Sequence, residues 1–171
     1  MKLKVKKMSD TAILPTAGSK EAAGLDLYAD KVEEFSDHFK VYTGISVQPD
    51  AGHFSFLLAR SSLHKKGLML FNSVGLIDRD YSGEVIGLLY KTNSYKEENK
   101  PAIGERLFQL VVQKQPEVTI EVVNSLDDTD RGGGGFGSSG LKEQASPILN
   151  KDAKEIAGWP SWNIDSFLSG S

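Results

Sequence analysis

Apolar side chains return at every second position of this chain, in short runs that end at Gly, Pro, Asn or Asp. Leu3 and Val5 alternate with lysines, and Leu25 and Leu27 flank Asp26. Phe39, Val41, Thr43, Ile45 and Val47 form the longest series; Phe54, Phe56 and Leu58 form another, and Val118, Ile120 and Val122 a further one. A period of two places alternate side chains on one face of an extended strand, so each run has one face meant for a core. Many short strands separated by turn residues predict an all-β sandwich or barrel. Lys2–Lys7 reads as an edge strand whose lysines stay in water and discourage pairing with other chains. Ahead of Gly140 only Ser61–Lys66 leaves room for a short helix, and no internal repeat is evident.

Composition narrows the function. With 171 residues the chain is one domain with an appendage, large enough to bury a sizeable core. A formal net charge of -3 argues against general nucleic-acid binding, so any anion site must use locally clustered cations. The absence of cysteine excludes disulfides, thiolate catalysis and Cys-built zinc sites, and suits a reducing compartment. His38, His53 and His64 lack metal-ligand spacing. No run of about 18 apolar residues exists, so no membrane span is expected. The expectation is a soluble intracellular protein of the cytoplasm or nucleus, or of a host cell if the chain is viral.

Residues 1–126 carry the strand pattern, residues 127–140 are polar and glycine-rich, and residues 141–171 form an extension. In that extension Asp152–Ala157 suits one or two helical turns, and Trp159, Trp162, Ile164, Phe167 and Leu168 make an apolar cluster. Docking on its own or a neighbouring subunit is the first expectation for residues 141–171, and recognition of a protein partner the second.

The stretch Arg131-Gly-Gly-Gly-Gly-Phe-Gly-Ser-Ser-Gly140 is richest in chemistry. Its glycines let successive backbone N–H groups converge on an anion. Arg131 can fork onto phosphate oxygens, Ser138 and Ser139 can donate hydroxyls, and the Phe136 ring suits stacking on a nucleobase. A plain Gly/Ser linker has a similar composition. In Ala23–Ala29, Asp26 sits among apolar strand residues and needs a partner for its charge, either the water shell of Mg²⁺ or solvent at a strand edge. Ala59–Leu63 brings Arg60, Ser61 and Ser62 to a strand end, to hold phosphate or to cap a helical turn. Asn72–Glu84 reads as a hairpin in which Gly75 and Gly83 bracket Asp78, Asp80 and Tyr81. Its tip presents backbone polar groups to a base edge and aims Asp78 at a water it can deprotonate, unless it is an ordinary acidic turn. In Gly104–Leu110, Gln109 stands inside an apolar run and must bond a water, a phosphate oxygen or the backbone.

Taken in order, AGLDLYA (Ala23–Ala29), ARSSL (Ala59–Leu63), NSVGLIDRDYSGE (Asn72–Glu84), GERLFQL (Gly104–Leu110) and RGGGGFGSSG (Arg131–Gly140) resemble the motifs of the homotrimeric dUTPase family. The resemblance implies a jelly-roll-like distorted barrel or sandwich that forms a homotrimer, with active sites between subunits. It implies Mg²⁺-assisted hydrolysis of dUTP to dUMP and pyrophosphate, which limits uracil in DNA and supplies dUMP for thymidylate synthesis. On that resemblance Asp78 is the general base for a water that attacks the α-phosphorus, and Gln109 helps position it. Arg60, Ser61, Ser62, Arg131, Ser138 and Ser139 would hold phosphates. Asn72, Gly75 and Ile77 would meet the uracil, Tyr81 would lie against the deoxyribose, and Phe136 would cover the base. Asp26 would touch Mg²⁺ through water. Three departures stand out: Ala59 and Ser62 replace the usual Pro and Gly, Phe71 stands where Gly is frequent and would crowd the base pocket, and an extension follows the arm.

Two other readings remain. A dCTP deaminase of the same fold would need a catalytic carboxylate near the cytosine, for which Glu84 is the nearby candidate. A nucleotide-gated binding protein would recruit its partner through the tail.

Overall fold

The computed structural model describes residues 1–134, and the chain divides into two units, Met1–Thr119 and a second that begins at Ile120. The first unit holds β1 (Leu3–Lys7), β2 (Thr16–Ala17), β3 (Leu25–Tyr28), β4 (Lys31–Glu34), β5 (His38–Tyr42) and β6 (Ile45–Pro49). It continues with β7 (His53–Ala59), β8 (Leu68–Leu70), β9 (Val74–Ile77), β10 (Ile86–Lys91) and β11 (Arg106–Lys114). Two 3₁₀ turns, Ser61–Lys66 and Glu97–Asn99, supply the helical content of the described residues. No helix among the described residues is long and apolar enough to cross a membrane.

The strands form a five-stranded sheet ordered β2-β3-β11-β7-β9, a four-stranded sheet ordered β4-β5-β10-β8, and the pair β1-β6. Every pairing is antiparallel. Both larger sheets feed one core, with Phe39, Val41 and Leu89 from one and Leu57, Phe108 and Leu110 from the other. The all-β, jelly-roll-like expectation holds, as two larger sheets and a strand pair rather than a closed barrel. β1 pairs only with β6, an edge position that lets its lysines stay in water. Close packing between the sheets depends on Gly87 of β10. A Cβ built there would lie 2.2 Å from Cζ of Phe108, so the ring occupies the space a side chain would need.

The structure alters three expectations. The series from Phe39 to Val47 is two strands, because Gly44 turns the chain at φ +67 between β5 and β6, although all five alternating residues remain buried. Val118, Ile120 and Val122 form no strand, and their side chains stand 77%, 87% and 94% exposed. Alternation without a partner strand leaves the backbone to bond water instead. Finally, Asn72–Glu84 is a corner and not a hairpin. β8 before it belongs to the four-stranded sheet, β9 within it pairs with β7 of the five-stranded sheet, and β10 after it returns to the four-stranded one. Gly75 and Ile77 are the inward residues of β9, and this register carries them to Leu57 and Ser55 of β7.

Candidate active site

Where the corner passes between the sheets it leaves a cavity of about 250 Å³, lined by Asn72, Gly75, Ile77, Asp78 and Tyr81 together with Leu57, Leu76, Glu84, Val85 and Ile86. Five residues expected to serve base, sugar and catalysis therefore share one wall. The turn into β9 is tight: Ser73 adopts φ 59, its N–H donates to Leu70 O at 3.0 Å, and the N–H of Val74 donates to Asn72 O at 2.6 Å. A Cβ on Gly75 would lie 3.0 Å from Cβ of Leu57, so the absence of a side chain lets β9 approach β7 closely beside the cavity. Asp78 follows the last residue of β9, at the cavity rim, and is exposed. Phe71, expected to crowd the base, is not part of this wall. Its ring meets Tyr90 edge-on at 5.7 Å and His38 at 6.0 Å, on the outside of the four-stranded sheet.

A second group of side chains lies on the five-stranded sheet. The register sets Asp26 of β3 opposite Gln109 of β11, Gln109 opposite Leu58 of β7, and Leu58 opposite Val74 of β9. Opposed residues in antiparallel strands point to the same side, so these four share a face. Asp26 is 2% exposed. Its Oδ1 takes Arg60 Nε at 3.0 Å and Gln109 Nε2 at 3.5 Å, and its Oδ2 takes Arg106 Nη1 at 3.2 Å. Two guanidinium groups thus meet the buried carboxylate, which would otherwise be costly. Arg60 also donates to the Arg106 carbonyl at 3.3 Å, tying the end of β7 to the start of β11. Ser61 and Ser62 open the following 3₁₀ turn, are exposed, and make no side-chain capping bond, which leaves both hydroxyls free of that role.

Sequence reasoning named Arg60, Gln109 and Asp26 but gave Arg106 no role. The signal was present: a carboxylate among apolar residues demands cations, and Arg106 opens the strand that carries Gln109. Asp26 and Val74 are three strand spacings apart, about 14 Å, and the corner cavity includes neither Asp26, Arg60 nor Gln109. Within one chain the two groups stay separate.

In the second unit Arg131 is described; Phe136, Ser138 and Ser139, like the extension 141–171, lie outside the described residues. The N–H of Gly132 donates to Thr129 O at 2.9 Å and to Thr129 Oγ1 at 3.1 Å, and Arg131 Nε donates to Gly134 O at 2.9 Å. The guanidinium is exposed.

Among the described residues no three His, Cys, Asp or Glu side chains gather to hold a metal. Asp26 alone, against two guanidinium groups, does not suit a bare dication. It does suit an ion that arrives with a triphosphate and keeps its waters, because the phosphate charge then offsets the arginines.

The fold and its two groups of side chains define an all-β domain with a cavity at the corner between its sheets and a locally cationic row on one sheet face. A dUTPase family model matches residues 10–140, and the chain belongs to the dUTPase family. The deoxyuridine 5'-triphosphate nucleotidohydrolase of Yarrowia lipolytica is 36% identical over 160 residues, covering 91% of this chain and 100% of that protein. The enzyme of the same name from Paramecium bursaria Chlorella virus 1 is 38% identical over 142 residues, 81% of this chain and 98% of that one. In fold the chain is similar to a mutant dUTPase of Staphylococcus bacteriophage 80alpha solved with dUpNHpp: the TM-score is 0.70 at 24% identity, over 82% of this chain and 99% of that chain. A mutant dUTPase of phage phi11 of S. aureus, solved with a coordinated structural Mg(II) ion, gives a TM-score of 0.62 at 21% identity, over 75% of this chain and 100% of that chain.

Proposed function

We propose that the protein hydrolyses dUTP to dUMP and pyrophosphate, with Asp78 as the base that activates the attacking water. The observation that carries this reading is the single cavity lined by Asn72, Gly75, Ile77, Asp78 and Tyr81. Asp78 takes a proton from water as the oxygen bonds the α-phosphorus. The bond from that phosphorus to the oxygen bridging to the β-phosphate breaks, and its electrons leave on pyrophosphate. Asn72 and the β9 backbone around Gly75 and Ile77 read the uracil edge. Cytosine presents the reverse donor pattern and would leave buried groups unpaired. Tyr81 lies against the deoxyribose, where a 2′-hydroxyl would not fit.

Arg60, Ser61 and Ser62 hold phosphates, and Gln109 orients the α-phosphate and water. Arg131, Ser138 and Ser139 add donors from the glycine-rich arm, residues 127–140, and Phe136 covers the base. Mg²⁺ supplies charge neutralisation when bound with the triphosphate, and Asp26 holds its water shell.

The separation of the two groups within one chain supports a site completed by another copy. So does the face of the five-stranded sheet on which Val74, Leu76, Phe56 and Val111 lie together, with Leu76 63% exposed. An apolar sheet face of this kind is suited to association, here as a homotrimer. The cysteine-free composition suits a reducing, intracellular setting. Against the deaminase alternative, Glu84 Oε1 is engaged by the N–H of Gly44 at 2.6 Å, a structural tie that a catalytic carboxylate does not need.

The test is pyrophosphate release from dUTP, UTP, dCTP and dTTP by wild type and Asp78→Asn. Turnover of dUTP alone, lost in the variant while nucleotide binding persists, is the expected result. Appreciable hydrolysis by the variant removes Asp78 from its role, and ammonia release from dCTP points to the deaminase.

A further inference from the structure

Tyr81 is 47% exposed, so burial alone does not hold its ring in place. Two local features do. Its Oη donates to the carbonyl of Glu84 at 3.0 Å, closing a short loop from Tyr81 to Glu84. The ring end lies directly over Gly83: a Cβ there would stand 2.4 Å from Oη, 2.5 Å from Cζ and 2.8 Å from Cε2. No real Cβ tolerates such distances, so the ring takes this position only because residue 83 has no side chain.

The loop is in turn lashed to the β5–β6 turn. Glu84 Oε1 accepts from the N–H of Gly44 at 2.6 Å, and Ser46 Oγ donates to Ser82 O at 3.0 Å. The N–H of Val85 donates to Ile45 O at 2.8 Å, and Thr43 Oγ1 donates to Val85 O at 2.6 Å. Gly44 is itself fixed, with φ +67 and the Asp30 carboxyl so close that a Cβ would lie 2.8 Å from it. Asp30 accepts from Ser9 Oγ at 2.7 Å and from Thr11 Oγ1 at 2.7 Å. The backbone under the tyrosine is therefore rigidly set, while the ring above it rests on one hydrogen bond and one vacant position.

We infer that Gly83 is a specificity-determining positioning residue: by giving the Tyr81 ring its seat on the lashed loop, it sets how strongly the enzyme refuses a 2′-hydroxyl. The inference rests on the reading that Tyr81 lies against the deoxyribose. Gly83 touches no substrate; it acts through Tyr81. A methyl at position 83 displaces the ring end toward solvent and breaks the bond to the Glu84 carbonyl. Because the ring is half exposed, it can move without opening the core, so selectivity changes while the fold does not.

The experiment measures kcat/KM for dUTP and UTP, and melting temperature, on the full-length protein as wild type, Gly83→Ala, Tyr81→Ala and the double variant. Gly83→Ala is expected to lower the dUTP-to-UTP preference by about tenfold or more, the scale of a misfitted small group in a binding site, with melting temperature little changed. In the Tyr81→Ala background the same methyl has no ring to displace, and the preference is expected to shift by less than about twofold. A wild type that discriminates, with Gly83→Ala discriminating equally, overturns the inference alone. So does an equal effect of Gly83→Ala with and without the ring. A wild type that hydrolyses UTP as readily as dUTP overturns the reading beneath it, and the inference with it.

Discussion

Asp26 lies buried between two guanidinium groups, whereas Asp78 stands exposed at the rim of a cavity with solvent around it. The groups they belong to are built differently. The corner is nearly contiguous: Asn72, Gly75, Ile77, Asp78 and Tyr81 come from one segment, shaped by local turns and one strand register. The charged row draws on two strands and the end of a third, and only cross-strand pairing brings Asp26, Arg60, Arg106 and Gln109 together. In the row, charges complete one another before any ligand arrives, so they belong to the energetics of the fold as well as to binding. In the corner the carboxylate contributes nothing visible to packing, which leaves it free for chemistry.

That contrast is sharpest in a paired measurement. Asp78→Asn is expected to cut dUTP turnover by about a thousandfold or more, at the upper end of what general-base loss costs, while unfolding free energy stays within about 0.5 kcal/mol of wild type. Asp26→Asn is expected to lower activity and also destabilise the protein by about 1–3 kcal/mol, because two arginines lose their counter-charge at a buried site. Chemical denaturation of both variants reads the difference. Equal stability losses would break the distinction between a carboxylate of the fold and a carboxylate of the reaction.

Next in size is Gly87→Ala, which tests the seam between the two larger sheets on which both groups depend. The added methyl meets the Phe108 ring, and overpacking of this kind costs about 1–3 kcal/mol. Phe108→Leu in the same chain should recover part of that loss, since it removes the ring atoms nearest the methyl. If the double variant is no more stable than Gly87→Ala, the ring is not what fills the space.

Much of this was legible in the sequence, for reasons that differ between the regions. Alternation marked β5 because one of its faces is buried, whereas β3 and β6 bury residues on both faces and the alternating Phe54, Phe56 and Leu58 of β7 lie half-buried, opposite the buried Ser55 and Leu57. Alternation does not say which strand is the neighbour, and that is why Asn72–Glu84 read as a hairpin although β9 pairs with β7. The corner's residues were still named, since proximity in sequence suffices for a contiguous site. In the charged row Arg106 was missed because its link to Asp26 passes through an irregularity between Arg106 and Phe108 in the pairing with β3. Such a shift has no period to detect. Gly44, inside the longest alternating series, was a visible sign that the series would break. Val118, Ile120 and Val122 show that alternation needs a partner before it becomes a strand.

The smallest effect expected is an absence, and it separates the two groups by charge. Asp26 carries one negative charge and its guanidinium partners carry two positive ones, so the row is locally cationic before substrate binds. A divalent ion beside Asp26 would be repelled by each nearby guanidinium on the order of 1–2 kcal/mol even at bulk dielectric. Only the triphosphate reverses that balance. Millimolar Mg²⁺ added to the nucleotide-free protein should therefore move the melting temperature by less than about 1 °C, since a ligand far below its Kd stabilises by almost nothing. A non-hydrolysable dUTP analogue added with Mg²⁺ should raise it by several degrees, and more than the analogue does with chelator present. If Mg²⁺ alone stabilises wild type but not Asp26→Asn, the row is a preformed metal site. The carboxylate would then be held by the ion rather than by its arginines, and the contrast with Asp78 would have to be drawn on metal occupancy instead of on burial.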